Sequence, residues 1–444
     1  MRRREIFKSV ALGGAAAALL TQKEASAQDR VNRAARGVPS PKIRDISVIE
    51  CQPAGVRLSV VKVTTDQAGL YGYGCATYTQ RADLVKPAVE KYLKPLLVGR
   101  PADRIEDIWQ MAYNSSYWRN AADLNNAISG VDQALWDIKG RQAGLPVYQL
   151  LGGKAREAVD LYGHAGGAEI ADVIASAKHY MSLGFRKVRV QVGVPGMSGY
   201  GAGRGAGRIP SLHEYPVFER EGAYRRAMAL LDAARTQLGD EVELLHDAHE
   251  RYTPTQAIRF AKDCEKFRLF FLEDVLSPED NDYYKIIRQQ TTTPLAMGEL
   301  FNSPHEWTPL IKSQLIDYMR MHVSQMGGLT PARKVAAMGE LLNVRTAFHG
   351  PGDVSPIGHM AMIHLDISIT NFGIQEYTEF NKATTEIFSG LPVMKDGYFY
   401  PNENPGWGME VDEAAAKKYP FDYKHPLNGG WGDIRLPDGQ IIKQ

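Results

Sequence analysis

The chain has 444 residues, of which 44% are hydrophobic and 23% charged, and a formal net charge of +1. It is too long for one small domain, its composition is ordinary for a globular protein, and its charge gives no reason to expect a nucleic acid partner. Cys51, Cys75 and Cys264 are few, scattered and odd in number, which indicates neither a disulfide framework nor a zinc motif.

The N-terminal residues 1–27 read as a targeting segment. Arg2, Arg3 and Arg4 precede Ile6, Phe7 and Lys8, an apolar stretch runs from Val10 to Leu20, and Ala25-Ser26-Ala27 offers a small-residue cleavage site. Paired arginines ahead of a hydrophobic pair and a lysine resemble a twin-arginine export signal, so cleavage after Ala27 and a periplasmic location are expected. The apolar stretch is short for a membrane span, and no stable insertion is expected once it is removed. Its removal takes away five Lys/Arg and two Asp/Glu and leaves a net charge of −2.

A polar linker covers 28–41. From Ile43 to Thr65 the residues alternate as antiparallel strands do, and Gly69 to Gly74 continues the pattern through a Gly-rich turn. Residues 82–150 read as helices; Ile128, Val131, Ala134, Leu135 and Ile138 recur at helical spacing. Strands followed by helices predict an α+β capping domain over 42–157. The pattern then changes to strand–helix alternation over 158–390. Candidate strands are 161–165, 187–192, 243–249, 269–275, 294–300, 316–323, 344–350 and 372–377. Eight such parallel strands close a (β/α)8 TIM barrel of the α/β class, with its chemistry at the strand C-termini. The long loop 193–218, with six glycines between Gly196 and Gly207, reads as a lid. The segment 391–444, rich in Pro, Gly and aromatic residues, is expected to pack back on the capping domain.

Three carboxylates stand at equal intervals of 26 residues, Asp247, Glu273 and Glu299, each closing an apolar run. One strand–helix unit of such a barrel takes about that length, so equal spacing places all three at the same end of successive strands. Converging carboxylates repel one another unless a cation lies between them, and a hard ion such as Mg²⁺ suits an all-oxygen site. Asp274 alternates to the other side of its strand and reads as a structural group, whereas His249, two residues past Asp247, is expected on the ligand's side. His246 and Tyr162 read as packing.

Eight short motifs in order resemble the enolase superfamily, and within it the mannonate dehydratase group, over about 43–440. They are Tyr162-Gly163-His164, Lys187-Val188-Arg189, His246-Asp247-Ala248-His249, Phe271-Leu272-Glu273, Gly298-Glu299, Arg320 ahead of Gly327-Gly328, His349-Gly350, and Gly373 through Glu376. The resemblance implies one Mg²⁺ per subunit on Asp247, Glu273 and Glu299. It implies an aldonate substrate, D-mannonate or D-gluconate, converted to 2-keto-3-deoxy-D-gluconate. Tyr200 paired with Arg189 would remove the C2 proton, the cation next to Tyr200 favouring its phenolate, and His249 would protonate the departing 3-hydroxyl. His164, Arg320, His349, Glu376, Thr79 and Pro351 would contact the substrate, and a homo-oligomer is expected. Two positions depart from the group. Pro351 stands where efficient mannonate-specific members carry Ala, a change associated with slow or gluconate-preferring members, and Thr79 stands where many have Asn. Two other readings stay open. A racemase or epimerase would carry Lys-x-Lys on the second strand and another Lys after the sixth, where this chain has Arg189, Arg320 and His322. A non-catalytic sugar-acid binding or sensing protein would keep the metal ligands without turnover.

Overall fold

The computed structural model describes residues 40–194, 217–352, 354–424 and 434–442. The expected targeting segment and Tyr200 lie outside these residues. Strands β1 (Ile43–Cys51), β2 (Leu58–Thr65) and β3 (Tyr71–Cys75) form an antiparallel sheet in that order. The turn into β3 is closed by the Leu70 N–H donating to the Gln67 carbonyl at 3.1 Å, with Gly69 at φ +76°. One face of the sheet buries Ile43, Ile46, Val61 and Val63 against Leu93, Ile108, Ile128 and Val131 of the helices that follow. The other face places Leu58, Val60 and Tyr73 in the large core shared with the barrel, so β2 is covered on both sides.

Eight parallel strands form the barrel: β4 (Val159–Gly167), β5 (Lys187–Val192), β6 (Glu243–Asp247), β7 (Phe271–Glu273), β8 (Leu295–Met297), β9 (Tyr318–Met319), β10 (Arg345–Thr346) and β11 (Gln375–Glu376). Each from β4 to β10 pairs with the next, β11 returns to pair with β4, and a parallel bridge between Thr346 and Phe372 closes the ring. β4 is longer than the run expected for it and β5 matches its run, whereas β6 to β11 are shorter, the chain leaving the ladder at or before the inward-facing residues Asp247, Glu273, Gly298, Arg320, His349 and Glu376. Strand side chains alternate between faces, and that alternation builds two layers inside the ring. Tyr162, Leu245, Phe271, Ala296, Tyr318, Ala347 and Ile374 form one buried apolar layer. Two residues further along each of these strands stand His164, Asp247, Glu273, Gly298, Arg320, His349 and Glu376, and Arg189 is registered beside His164.

The helix Ala122–Ala143 joins the sheet to the barrel. Its buried face is more polar than a simple amphipathic stripe, because Asn125, Asp132, Gln133 and Asp137 each answer a backbone group elsewhere. Asn125 Nδ2 donates to the carbonyls of Asn302 (2.9 Å) and Gln325 (2.8 Å), and Asp132 accepts the Thr330 N–H at 2.9 Å. The described residues beyond 390 reach both parts. The hairpin Val393–Lys395/Tyr398–Tyr400 pairs antiparallel with β4, and the Trp407 N–H donates to Asp137 at 2.9 Å.

Gly72 and Gly74 are not part of a turn, as the sequence suggested; they are strand residues on which this helix rests. A Cβ at Gly74 would meet the Gly130 carbonyl oxygen at 1.9 Å, and one at Gly72 the Ala134 oxygen at 2.2 Å. The close approach lets the helix serve the outer edge of β3. The N–H groups of Tyr73 and Cys75 donate to Asp137 and Gln133, while Ser129 and Trp407 donate to the Cys75 and Tyr73 carbonyls. Bare edges invite pairing with another chain, and at Tyr73 and Cys75 the helix and Trp407 occupy that edge. Gly74→Ala should force helix and strand apart and lower stability by about 2–3 kcal/mol. Urea unfolding checks this, and a midpoint equal to that of the unaltered protein would show that the contact is slack.

Candidate active site

The polar layer of the barrel holds two buried guanidiniums. Arg320 donates through Nε to Glu273 at 2.7 Å, through Nη2 to Glu376 at 3.1 Å, and through Nη1 to the Ala347 carbonyl at 3.0 Å. Arg189 donates through Nη1 to Glu273 (3.2 Å) and Asp247 (3.4 Å), and its Nη2 lies 3.0 Å from His164 Nδ1. Burial opposes the charge on both, but the surrounding carboxylates outweigh it and hold both well above the ordinary arginine range. Burial also opposes the charge on Glu376. Arg320, His164 and His349 nevertheless hold that carboxyl well below its usual range, and the Gly350 N–H adds a bond at 2.8 Å.

Across the site the balance is reversed. Burial, then neighbouring carboxylates, push Glu250, Asp274 and Glu299 well above the usual carboxylate range, and burial raises Glu273 to about 7 against the pull of Arg320. Four carboxyls and Asp247 therefore share a buried space with too little positive charge. Oxygens of Glu273, Asp274 and Glu299 lie within 4.8 Å of one another, as do ligand atoms of His249, Glu250 and Glu299. A surplus of buried carboxylate oxygens, as in the group Glu273, Asp274 and Glu299, fits a hard divalent cation.

Local backbone geometry decides who joins this group. Gly298, at φ +134°, turns the chain so that Glu299, one residue past the polar layer, faces the site; a Cβ there would meet Met321 and Phe301 at 3.0 Å. His249 (φ +53°), Glu250 (φ +57°) and Asp274 (φ +40°) also adopt left-handed backbone. That corrects two readings of the sequence. Asp274 does not alternate away, because β7 ends at Glu273; it joins the carboxylate group while its Oδ1 accepts the Gly298 N–H at 3.0 Å. His249 reaches the site from a turn rather than along the strand, its N–H donating to Asp247 Oδ1 at 2.7 Å and its Nε2 lying 3.9 Å from Glu299. Burial pushes His249 down to about 4, against the attraction of Asp247.

The remaining expected residues are found at the same end of the barrel. His164 Nε2 lies 2.7 Å from Glu376, and His349 Nε2 lies 3.3 Å from Glu299. Thr79 lines a cavity of about 180 Å³ between the capping sheet's loop and the loops after β8 and β9. Pro351 follows Gly350, and its carbonyl lies 3.2 Å from His359 Nε2. His246 is buried with Nδ1 at 2.9 Å from the Val190 carbonyl, and Tyr162 lies within the apolar layer. Sequence reasoning missed Glu250 and Gln191, which donates to Asp247 at 3.2 Å. Glu250 follows His249 directly and Gln191 lies two residues past Arg189, so both stood beside motifs already in view.

Comparison with known proteins agrees with this geometry. Residues 43–152 match the family model for the mandelate racemase/muconate lactonizing enzyme N-terminal domain, and residues 172–415 match the enolase C-terminal domain-like model. A D-galactonate dehydratase family member of Enterococcus gallinarum is 47% identical over 399 residues, covering 89% of this chain and 97% of its own length. One from Pantoea ananatis is 48% identical over 412 residues, covering 90% and 98%. Among solved structures, an enolase from Pantoea ananatis with bound D-gluconate and Mg is 46% identical with a TM-score of 0.85, covering 91% of this chain and 100% of that one. A putative dehydratase from Mesorhizobium loti is 26% identical with a TM-score of 0.73, covering 86% and 99%. The chain belongs to the enolase superfamily, and within it to the D-galactonate dehydratase family of sugar-acid dehydratases.

Proposed function

We propose that the protein is a Mg²⁺-dependent aldonate dehydratase, acting on D-mannonate or D-gluconate to give 2-keto-3-deoxy-D-gluconate and water. The observation that carries this reading is the excess of buried carboxylates beside Arg189 and His249. The D-gluconate and Mg found in the 46% identical relative support it. Asp247, Glu273 and Glu299 would hold the ion, which when bound supplies positive charge to the substrate carboxylate as the C2 proton leaves.

The side chains divide the remaining work. Tyr200 would accept the C2 proton, and the Arg189 guanidinium would favour its phenolate form. His249 would give a proton to the 3-hydroxyl as the C3–O bond breaks, so water departs and the enol product becomes the 2-keto-3-deoxy acid. That role needs a protonated imidazole. Burial opposes that form, and Asp247, whose Oδ1 accepts the His249 backbone N–H, favours it. Arg320 would keep Glu273 and Glu376 oriented, and His164, His349 and Glu376 would meet the substrate near the ion.

Incubating the purified protein with Mg²⁺ and stereoisomeric aldonates should yield a 2-keto-3-deoxy acid from at least one, and a chelator should abolish it; no product from any of them sinks the reading. His249→Asn should lower turnover by about 10²–10⁴-fold, with exchange of the C2 proton against solvent deuterium persisting. Exchange without dehydration by the unaltered protein would point to a racemase. Tight aldonate binding without turnover, unaffected by His249→Asn, would point to a binding protein.

We also propose that the protein is exported with cleavage after Ala27 and works as a homo-oligomer. Arg2, Arg3 and the short apolar stretch from Val10 to Leu20 support the first part. Expressed in a bacterium with a twin-arginine pathway, it should be recovered from the periplasm with Gln28 as its first residue. Cytoplasmic recovery with Met1 or Arg2 at the N-terminus would refute export.

A further inference from the structure

The cavity beside Thr79 differs in kind from the charged site it adjoins. It is lined by Thr79, Gln80, Asn302, His322 and Gln325, among others, and no lining residue among those described carries a fixed charge. It continues the catalytic cleft: Leu300 lines it directly after Glu299, and the His322 ring stands 5.3 Å from that of His349. A second carboxylate entering it would lose its hydration with no cation to replace it, whereas hydroxyl groups need only neutral partners.

One lining residue, His322, offers such a partner. His322 Nδ1 accepts the Ser324 N–H at 3.1 Å, which fixes the neutral tautomer and leaves Nε2–H as the ring's donor. Asn302 commits an amide hydrogen to the Leu300 carbonyl at 2.9 Å. A hydroxyl accepts as readily as it donates, so a fixed neutral donor suits it. The walls are also held in place, since Asn125 bonds the backbone carbonyls of both Asn302 and Gln325.

We propose that His322 is a specificity-determining residue, which donates a hydrogen bond to the hydroxyls at the far end of the sugar acid. This rests on the aldonate reading above and adds the part of the substrate that does not react. It makes chain length, and not the carboxylate end alone, a determinant of affinity.

Binding to the Mg²⁺-loaded protein, measured by calorimetry with D-gluconate and with the three-carbon acid D-glycerate, tests the assignment. D-Glycerate keeps the carboxylate and the 2- and 3-hydroxyls but cannot reach the cavity. His322→Phe keeps a ring and removes the donor; it should weaken D-gluconate binding about 10-fold more than D-glycerate binding. His322→Gln, which keeps an N–H donor, should recover most of that difference. An equal loss for both acids in His322→Phe, or no recovery with Gln, overturns the assignment of His322 alone. Failure of the unaltered protein to bind either acid overturns the aldonate reading and this inference with it.

Discussion

A guanidinium wholly inside the barrel, that of Arg320, is what the rest of the site depends on. An ion buried in protein is tolerated only when its partners are close and complete, and Arg320 meets that condition with Glu273, Glu376 and the Ala347 carbonyl. The carboxylates on its side of the barrel are thereby neutralised from within, with Arg189 and His164 completing the set. On the other side, Glu299 lies 3.8 Å from the same Arg320 and Glu250 3.5 Å from His249 Nδ1, yet burial and neighbouring carboxylates outweigh these contacts and hold Glu250, Asp274 and Glu299 well above the usual carboxylate range. The mouth of the barrel therefore has one half balanced by the protein and one half negative. A cation would belong to the negative half, beside Glu250, Asp274 and Glu299.

Much of this was legible because a parallel barrel obeys a period of two. The triplets Leu245-His246-Asp247, Phe271-Leu272-Glu273 and Tyr318-Met319-Arg320 put an apolar residue in the lower layer and a functional one in the upper. Such a pattern can be read without coordinates. What could not be read are the places where the chain leaves the strand. Gly298 rotates Glu299 into the site one residue out of phase, and left-handed backbone at His249, Glu250 and Asp274 breaks the alternation that had sent Asp274 elsewhere. Glu250 was overlooked for the same reason: inward orientation past a strand end is a property of the turn, not of the period. Gly72 and Gly74 failed differently. Glycine in an alternating stretch suggests a turn when nothing shows a helix lying on it, and the helix that needs their missing side chains starts some 50 residues later.

The helix Ala122–Ala143 links these two levels. Through Gln133 and Asp137 it closes the edge of the capping sheet, through Asp132 it meets the start of the helix Leu329–Leu341, and through Asn125 it fixes the loops after β8 and β9. The loop bearing Thr79 leaves from the end of β3, on which the helix rests. Both walls of the neutral cavity are thus referred to one rigid element. The distance across the cavity is set by packing between glycine backbone and helix, a contact with almost no compliance.

The indole of Trp407 brings one more consequence. Its N–H donates to the Tyr73 carbonyl while the backbone N–H of the same residue donates to Asp137, so an edge strand formed near the start of the chain is finished by a residue near its end. During synthesis the N-terminal sheet emerges early, yet it waits for nearly the whole polypeptide before its last hydrogen bonds can form. Contacts of such long sequence separation form slowly because the intervening chain must first be ordered. Removal of the C-terminal segment would therefore be felt at the capping sheet, at the opposite end of the sequence, as well as at the start of β4, where its hairpin pairs.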